Sequence, residues 1–372
     1  PETKDAYPWK IRPVHYVAQI GDVKYESLAE AIEAVPADGT ETTVVMIDNE
    51  TIPGNAGVTI PATKNVVLDL NGFTVKNAVN ENKGSQVILN KGTLTIKDSS
   101  AEQTGLLINA VEEGTAAGEW WGTPQYNYAT NTITNNGTLT IEGGRVEQTA
   151  AGSICYAIDN NSSAADATIT VKGGEVIGVS NAIRMFANST TKKNDVVVEG
   201  GLIQAGYSGI WVQLPGSSAQ KKLATLTVSG GTLKGGAYAF YDYSYGDLFD
   251  EVQYTLSGGE FDGEIFSYGA NVDISGGTYR GEVAIKQVNA SNLTVTGGFF
   301  DAEVYNYGAN ASAPFVTGGY FTNSTFEADG VIYKCVEDEE WYVAEGYIIA
   351  PNKEPETKDA YPWKIRPVHY VA

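Results

Sequence analysis

Cysteine, histidine and methionine each occur only twice in the 372 residues. Two cysteines, Cys155 and Cys335, are too few for a disulfide scaffold or a cysteine-based metal cluster, and their expected role is that of small buried residues. Two histidines rule out histidine triads and most zinc sites. Positive charge is also scarce: 24 Lys and Arg stand against 45 Asp and Glu, a formal charge of −21. Nucleic acid and anionic membrane surfaces would repel such a chain, so neither is expected as a partner. No run approaches the roughly 18 apolar residues of a membrane-spanning helix, so no membrane insertion is expected in this segment. The first residue is a proline without a leader pattern, which reads as an excerpt of a longer protein.

What the chain has in quantity is glycine, 42 residues, with 42% apolar content, a balance that favours strands and turns over helices. It also contains a perfect duplication. Residues 1–18, PETKDAYPWKIRPVHYVA, recur unchanged as residues 355–372, an offset of 354. The simplest account is a parent protein that repeats a 354-residue unit, with the chain running from one unit into the next. A duplicated segment, or a separate subunit carrying its neighbour's terminus, is the alternative. Within the segment, Tyr7, Trp9 and Ile11 alternate, as do Tyr361, Trp363 and Ile365, while Pro8 and Pro13 stiffen it and glycine is absent. That composition predicts a docked junction strand rather than a flexible tether.

Eight Gly-Gly pairs, beginning at Gly143, Gly173, Gly200, Gly230, Gly258, Gly276, Gly297 and Gly318, share one flanking pattern. Two residues before each pair stand Ile141, Val171, Val198, Val228, Leu256, Ile274, Val295 and Val316. Four before stand Leu139, Ile169, Val196, Leu226, Tyr254, Val272, Leu293 and Pro314. A side-chain period of two puts both sets on one strand face. Two residues after each pair come Val146, Val176, Ile203, Leu233, Phe261, Tyr279, Phe300 and Phe321, so the chain turns at the glycines and points inward again. The spacings of 18 to 30 residues suit the coils of a solenoid with variable loops. A further pair at Gly235 follows Gly230 too closely to open a coil. Cys155 and Cys335 then lie several coils apart, about 30 Å at ordinary strand spacing, too far for a disulfide.

Outward positions fit in-register stacking. Lys97, Glu142, Lys172 and Glu199 alternate in sign, and Thr95, Thr140, Thr170, Val197, Thr227, Thr255, Asp273, Thr294 and Phe315 form an interrupted threonine row. The fold expected is all-β: a single-stranded parallel β-helix, right-handed, over residues 40–330. Residues 14–39 should form an N-terminal hairpin and capping helix, with Gly21-Asp22 at the turn and Ser27 and Glu30 as a capping box. Residues 331–350 should form a C-terminal β cap, with 1–13 and 351–372 as junction segments.

The runs YVAQIGDVKYESLAEAIEAV and IPATKNVVLDLNGFTVKN, followed by TLTIEGGRVE-like coils, resemble the β-helix modules of large surface proteins of Gram-positive and gut-associated bacteria. The likeness covers about residues 14–350, and pectate lyases are among the broad fold relatives. The resemblance implies an extracellular, cell-surface adhesin or stalk module and brings no catalytic motif.

For chemistry the sequence offers little. Asp247, Asp250, Glu251, Asp262 and Glu264 are the densest acid group, but no basic residue or second carboxylate set completes a lyase or glycosidase site. No catalytic residue, metal or cofactor is therefore expected. Two aromatic groups can serve as sugar platforms: Trp120, Trp121, Tyr126 and Tyr128 in a long insertion, and Tyr238, Phe240, Tyr241, Tyr243, Tyr245 and Phe249. Rings in solenoid loops more often fold back over the flank. The expected function is a structural, spacer-like tandem unit of an extracellular fibre whose partners are identical neighbouring repeats. Glycan binding, to host or environmental glycans, is the alternative, and polysaccharide cleavage comes third.

Overall fold

Strand-forming sequence alternates with glycine corners from residue 41 onward, and the computed structural model winds it into a parallel β-helix. The structure describes residues 13–77, 84–110, 119–120, 123–124, 129–150, 152–215, 222–242, 252–267, 270–287, 293–306, 315–323, 325–328, 331–334 and 343–368. One coil shows the plan. Thr138–Ile141 runs along the first face, the chain turns at Gly143-Gly144, and Arg145–Gln148 and Cys155–Asn161 form two further legs. It then returns as Ala167–Val171, parallel to Thr138–Ile141, with Leu139 opposite Ile169 and Ile141 opposite Val171.

The register read from the glycine pairs holds along the stack. Ile96, Ile141, Val171, Val198, Val228, Leu256, Ile274 and Val295 are successive partners, and Val316 continues the row. All are buried. Each such side chain withdrawn from water contributes about 1.5–3 kcal/mol, so a continuous ladder of them drives the stacking. The positions after the corners form a second ladder, from Val146 through Leu233 to Phe321. Its lower half is aromatic: Phe261, Tyr279, Phe300 and Phe321 lie face over face with centroids 4.7, 4.8 and 4.9 Å apart. In these later coils the second and third legs merge into single long strands, Thr232–Asp242, Glu260–Ser267, Thr278–Gln287 and Phe299–Asn306, and the glycine pairs draw closer. The Gly235-Gly236 pair lies inside the first of these, at the bend between its second-leg and third-leg parts, where Gly235 pairs with Ala205 and Tyr238 with Ser208.

The two glycines of each corner serve different ends. The second always has positive φ, from +69° at Gly174 to +117° at Gly319, where a side chain is strained. From Gly173 onward the first is required by its neighbour: a Cβ on Gly230 would lie 2.3 Å from the Glu199 carbonyl oxygen of the coil before, and one on Gly258 2.2 Å from that of Ser229.

A further ladder has no counterpart in the sequence reading. Asn90 Nδ2 donates to Asn135 Oδ1 at 2.7 Å, Asn135 Nδ2 to Asn160 Oδ1 at 2.7 Å, and Asn160 Nδ2 to Asn194 Oδ1 at 2.8 Å. All four amides are fully buried. Each also serves a backbone group at its own turn, as Asn160 Nδ2 does for the Ala167 carbonyl. The outward charge ladder forms differently from expectation. Lys172 meets Glu142 at 3.3 Å, but Lys97 turns back to Asp69, its register partner in the coil before, at 3.4 Å. The buried Asp69 carboxylate is the stronger attraction, because it is poorly screened by water.

At the N-terminal end, Ala18–Ile20 and Val23–Tyr25 form the two-residue hairpin, with Gly21 at φ +56°, and the first strand pairs antiparallel with Glu41–Met46. Helix Leu28–Ala34 follows, its Glu30 N–H donating to Ser27 Oγ at 3.1 Å. The reciprocal arm differs from a standard capping box: Glu30 Oε2 accepts from the Glu26 N–H instead of that of Ser27. Leu28, Ala31, Ile32 and Val35 are buried in the same core as the coils. The first coil also holds both helix ends, Glu50 accepting from the Leu28 N–H at 2.8 Å and Lys64 donating to the Ile32 and Glu33 carbonyls at 2.7 Å.

Candidate functional site

Among the described residues, an aromatic flank and the C-terminal end of the stack stand out once the core is assigned. The flank arises because outward positions of the third leg stack in register: Asp159, Arg184, Trp211, Tyr241 and Phe266 succeed one another coil by coil. Tyr207 and Tyr238 extend the row sideways. Arg184 grips Asp159 in a bidentate pair through its Nε and Nη2, at 2.8 and 2.7 Å, and its guanidinium lies over the Tyr156 and Phe186 rings at 4.6 and 4.5 Å. The rings themselves mostly meet edge to face. Tyr207 and Tyr238 are 5.3 Å apart at 82°, and Trp211 and Tyr241 6.0 Å apart at 62°. Such packing covers ring faces with neighbouring edges, whereas a sugar platform needs a face turned to solvent. Burial, then the adjacent Tyr238, pushes the Tyr207 hydroxyl well above the ordinary tyrosine range, so it stays protonated.

Of the expected sugar-platform residues, Tyr241 belongs to this flank and is half-buried. Phe240 points the other way, fully buried against Tyr254. Trp120 lies in a short strand paired with Thr123–Pro124. Trp121, Tyr126, Tyr128, Tyr243, Tyr245 and Phe249 lie outside the described residues, as do Asp247, Asp250, Glu251 and Cys335. Asp262 is engaged by Lys234 at 2.6 Å. Cys155 is a buried thiol whose pKa burial pushes up to about 12. Among the described residues, no three His, Cys, Asp or Glu side chains gather as a metal group, and no helix is long and apolar enough to cross a membrane.

The second surface is built partly from the duplicated segment. Trp363–Pro367 is a strand inserted antiparallel between the last coil and Tyr347–Pro351. On one side Phe321 faces Trp363 and Tyr320 faces Lys364; on the other Ile349 faces Ile365 and Pro351 faces Trp363. The Ile365 N–H donates to the Gly319 carbonyl at 3.0 Å and the Val368 N–H to that of Gly346 at 2.7 Å. Alternation does the rest: Ile365 is buried, Trp363 packs against the core, and Tyr361 lies 5.2 Å from Phe299, which itself stacks on Tyr320. The turn before the strand is held by polar contacts. Tyr320 donates to Glu354 at 2.7 Å, Lys364 pairs with Glu354, and Asn352 Nδ2 bonds Thr357 and the Tyr361 carbonyl. The C-terminal β structure thus extends past residue 350 to Pro367, and the segment closes the stack. Tyr7, Trp9 and Ile11, in the first copy, lie outside the described residues.

Comparison of the chain with protein-family models, with curated proteins and with solved structures finds no match.

Proposed function

We propose that this chain is a structural, spacer-like unit of an extracellular bacterial surface fibre or adhesin, repeated in tandem, with neighbouring copies of itself as partners. On this reading it is not an enzyme and works without a cofactor. The observation that carries it is the duplicated segment: its C-terminal copy is the strand that closes the β-helix, so the sequence shared by successive units lies at a structured joint. A joint ordered in this way resists bending, because the freedom between units has already been removed. Small-angle scattering on a protein of two tandem repeats is the test, with Trp363→Ser beside it. A narrow end-to-end distribution that broadens on substitution supports a stiff spacer; a broad distribution unchanged by the substitution refutes it.

Glycan binding is the second reading, favoured by the half-buried Trp211, Tyr238 and Tyr241 on one flank. A glycan array run with the parent and Tyr241→Ala tests it. Binding lost in the variant would support an adhesin module, and no binding would leave the flank as packing.

A further inference from the structure

If the unit repeats every 354 residues, as the spacer reading holds, residues 355–372 of one copy are residues 1–18 of the next. The structure then puts the physical boundary elsewhere than the repeat boundary. Residues 355–368 are docked on the end of the unit that precedes them, and Val368 is held there through its N–H. Its equivalent in the first copy is Val14. Three residues later, Val17 already belongs to the following unit: its N–H donates to Tyr25 at 2.9 Å and its carbonyl accepts from Ile47 at 2.8 Å. His15 and Tyr16 alone lie between the two attachments.

We infer that residues 1–13 are a closing strand lent to a second copy of this chain, with Trp9 and Ile11 taking the places of Trp363 and Ile365, and that residues 14–368 are one folding unit. Three Cα steps from Val14 to Val17 span at most about 11 Å. The N-terminal hairpin of one unit therefore abuts the closed end of the one before it. The apolar surface agrees. Val14, Tyr16 and Val23, at 52%, 42% and 58% exposure, are three of the four large hydrophobic residues exposed among the described residues, and all three lie at this end. An abutting copy removes them from water, whereas scattered single exposures would need no partner. The slot is also specific, since it takes a strand through backbone bonds on both edges and selects alternate side chains at Tyr361, Trp363 and Ile365.

The test weakens the resident strand in the full chain with Trp363→Ser and Ile365→Ser. Residues 1–13 of another copy should then displace it. Light scattering after size exclusion should show a monomeric parent and a variant that forms linear oligomers as concentration rises. A peptide of residues 1–13 should bind that variant one to one and return it to monomer. Adding Trp9→Ser and Ile11→Ser to the variant should abolish the oligomers while leaving peptide binding intact. A variant that stays monomeric and ignores the peptide overturns the inference, as do oligomers that survive the added substitutions. Hydrogen exchange on the unaltered chain gives a readout independent of any variant: one sequence occurs twice, and the amides of 355–367 should exchange at least about tenfold more slowly than those of 1–13. Equal exchange overturns it. A two-repeat protein that scatters as a stiff rod while the peptide fails to bind would preserve the spacer reading and refute strand lending.

Discussion

Val228 offers the sharpest test of the stacking register. It is fully buried and lies in register between Val198 and Leu256, while its neighbour Thr227 points outward between Val197 and Thr255. Aspartate at 228 forfeits apolar burial worth about 2 kcal/mol. The new carboxyl is expected to remain protonated in the folded interior, its pKa raised above 7, while the unfolded chain ionises it at the ordinary value of about 3.9. At pH 7 that difference adds about 4 kcal/mol, so Val228→Asp should cost about 6 kcal/mol in all. The sign is diagnostic: the unfolded state releases the proton first, so the deficit grows by about 1.4 kcal/mol per pH unit from pH 4 upward and levels off only above the raised pKa. Urea unfolding at pH 5 and pH 7, with hydrogen exchange to locate the opened coils, measures both parts. Thr227→Asp, one residue away, should cost less than about 1 kcal/mol. A Val228→Asp protein that melts like its parent, or whose deficit is flat between pH 5 and pH 7, would show that the side chain does not face this core.

Four further outcomes are expected. Gly230→Ala, which drives a methyl onto the Glu199 carbonyl, should cost about 3 kcal/mol; Gly39→Ala, with φ +82° but open space around it, should cost only about 1 kcal/mol, and equal melting shifts would contradict the close-approach argument. Asn160→Leu removes the partner of both Asn135 and Asn194 and should lower stability by about 3 kcal/mol in chemical denaturation. Burial raises the Asp98 pKa, but N–H donors from Gly105, Ser100 and Gly72 outweigh it and hold the value below the usual range. Its stabilisation is therefore complete above about pH 4 and lost as pH falls through the depressed folded value, so Asp98→Asn should remove part of the acid dependence of the urea midpoint. Cys155, with its thiol pKa near 12, should resist maleimide in a Cys335→Ser background until the protein unfolds; rapid labelling of the folded chain would place it at the surface.

Much of the fold was legible because a solenoid repeats its own instructions. Period-two alternation around each glycine pair names the inward residues, and equivalent positions in successive coils become neighbours, so local pattern and tertiary register coincide. The hairpin and helix at the start were legible for a similar reason, since turn and cap chemistry are local. Four features depended on the assembled structure. The need for the first glycine of each corner from Gly173 onward comes from a carbonyl about a full coil earlier in the chain. The asparagine ladder joins residues with irregular spacing, at 90, 135, 160 and 194, which periodicity does not reveal. Lys97 chose Asp69 because burial, invisible in the sequence, strengthens that carboxylate's pull. The duplication at residues 1–18 and 355–372 was plain from the sequence, but the place of its second copy was not. That a strand of this composition closes the stack behind it depends on the edge left open by Tyr320-Phe321, an edge that exists only once every coil before it has formed.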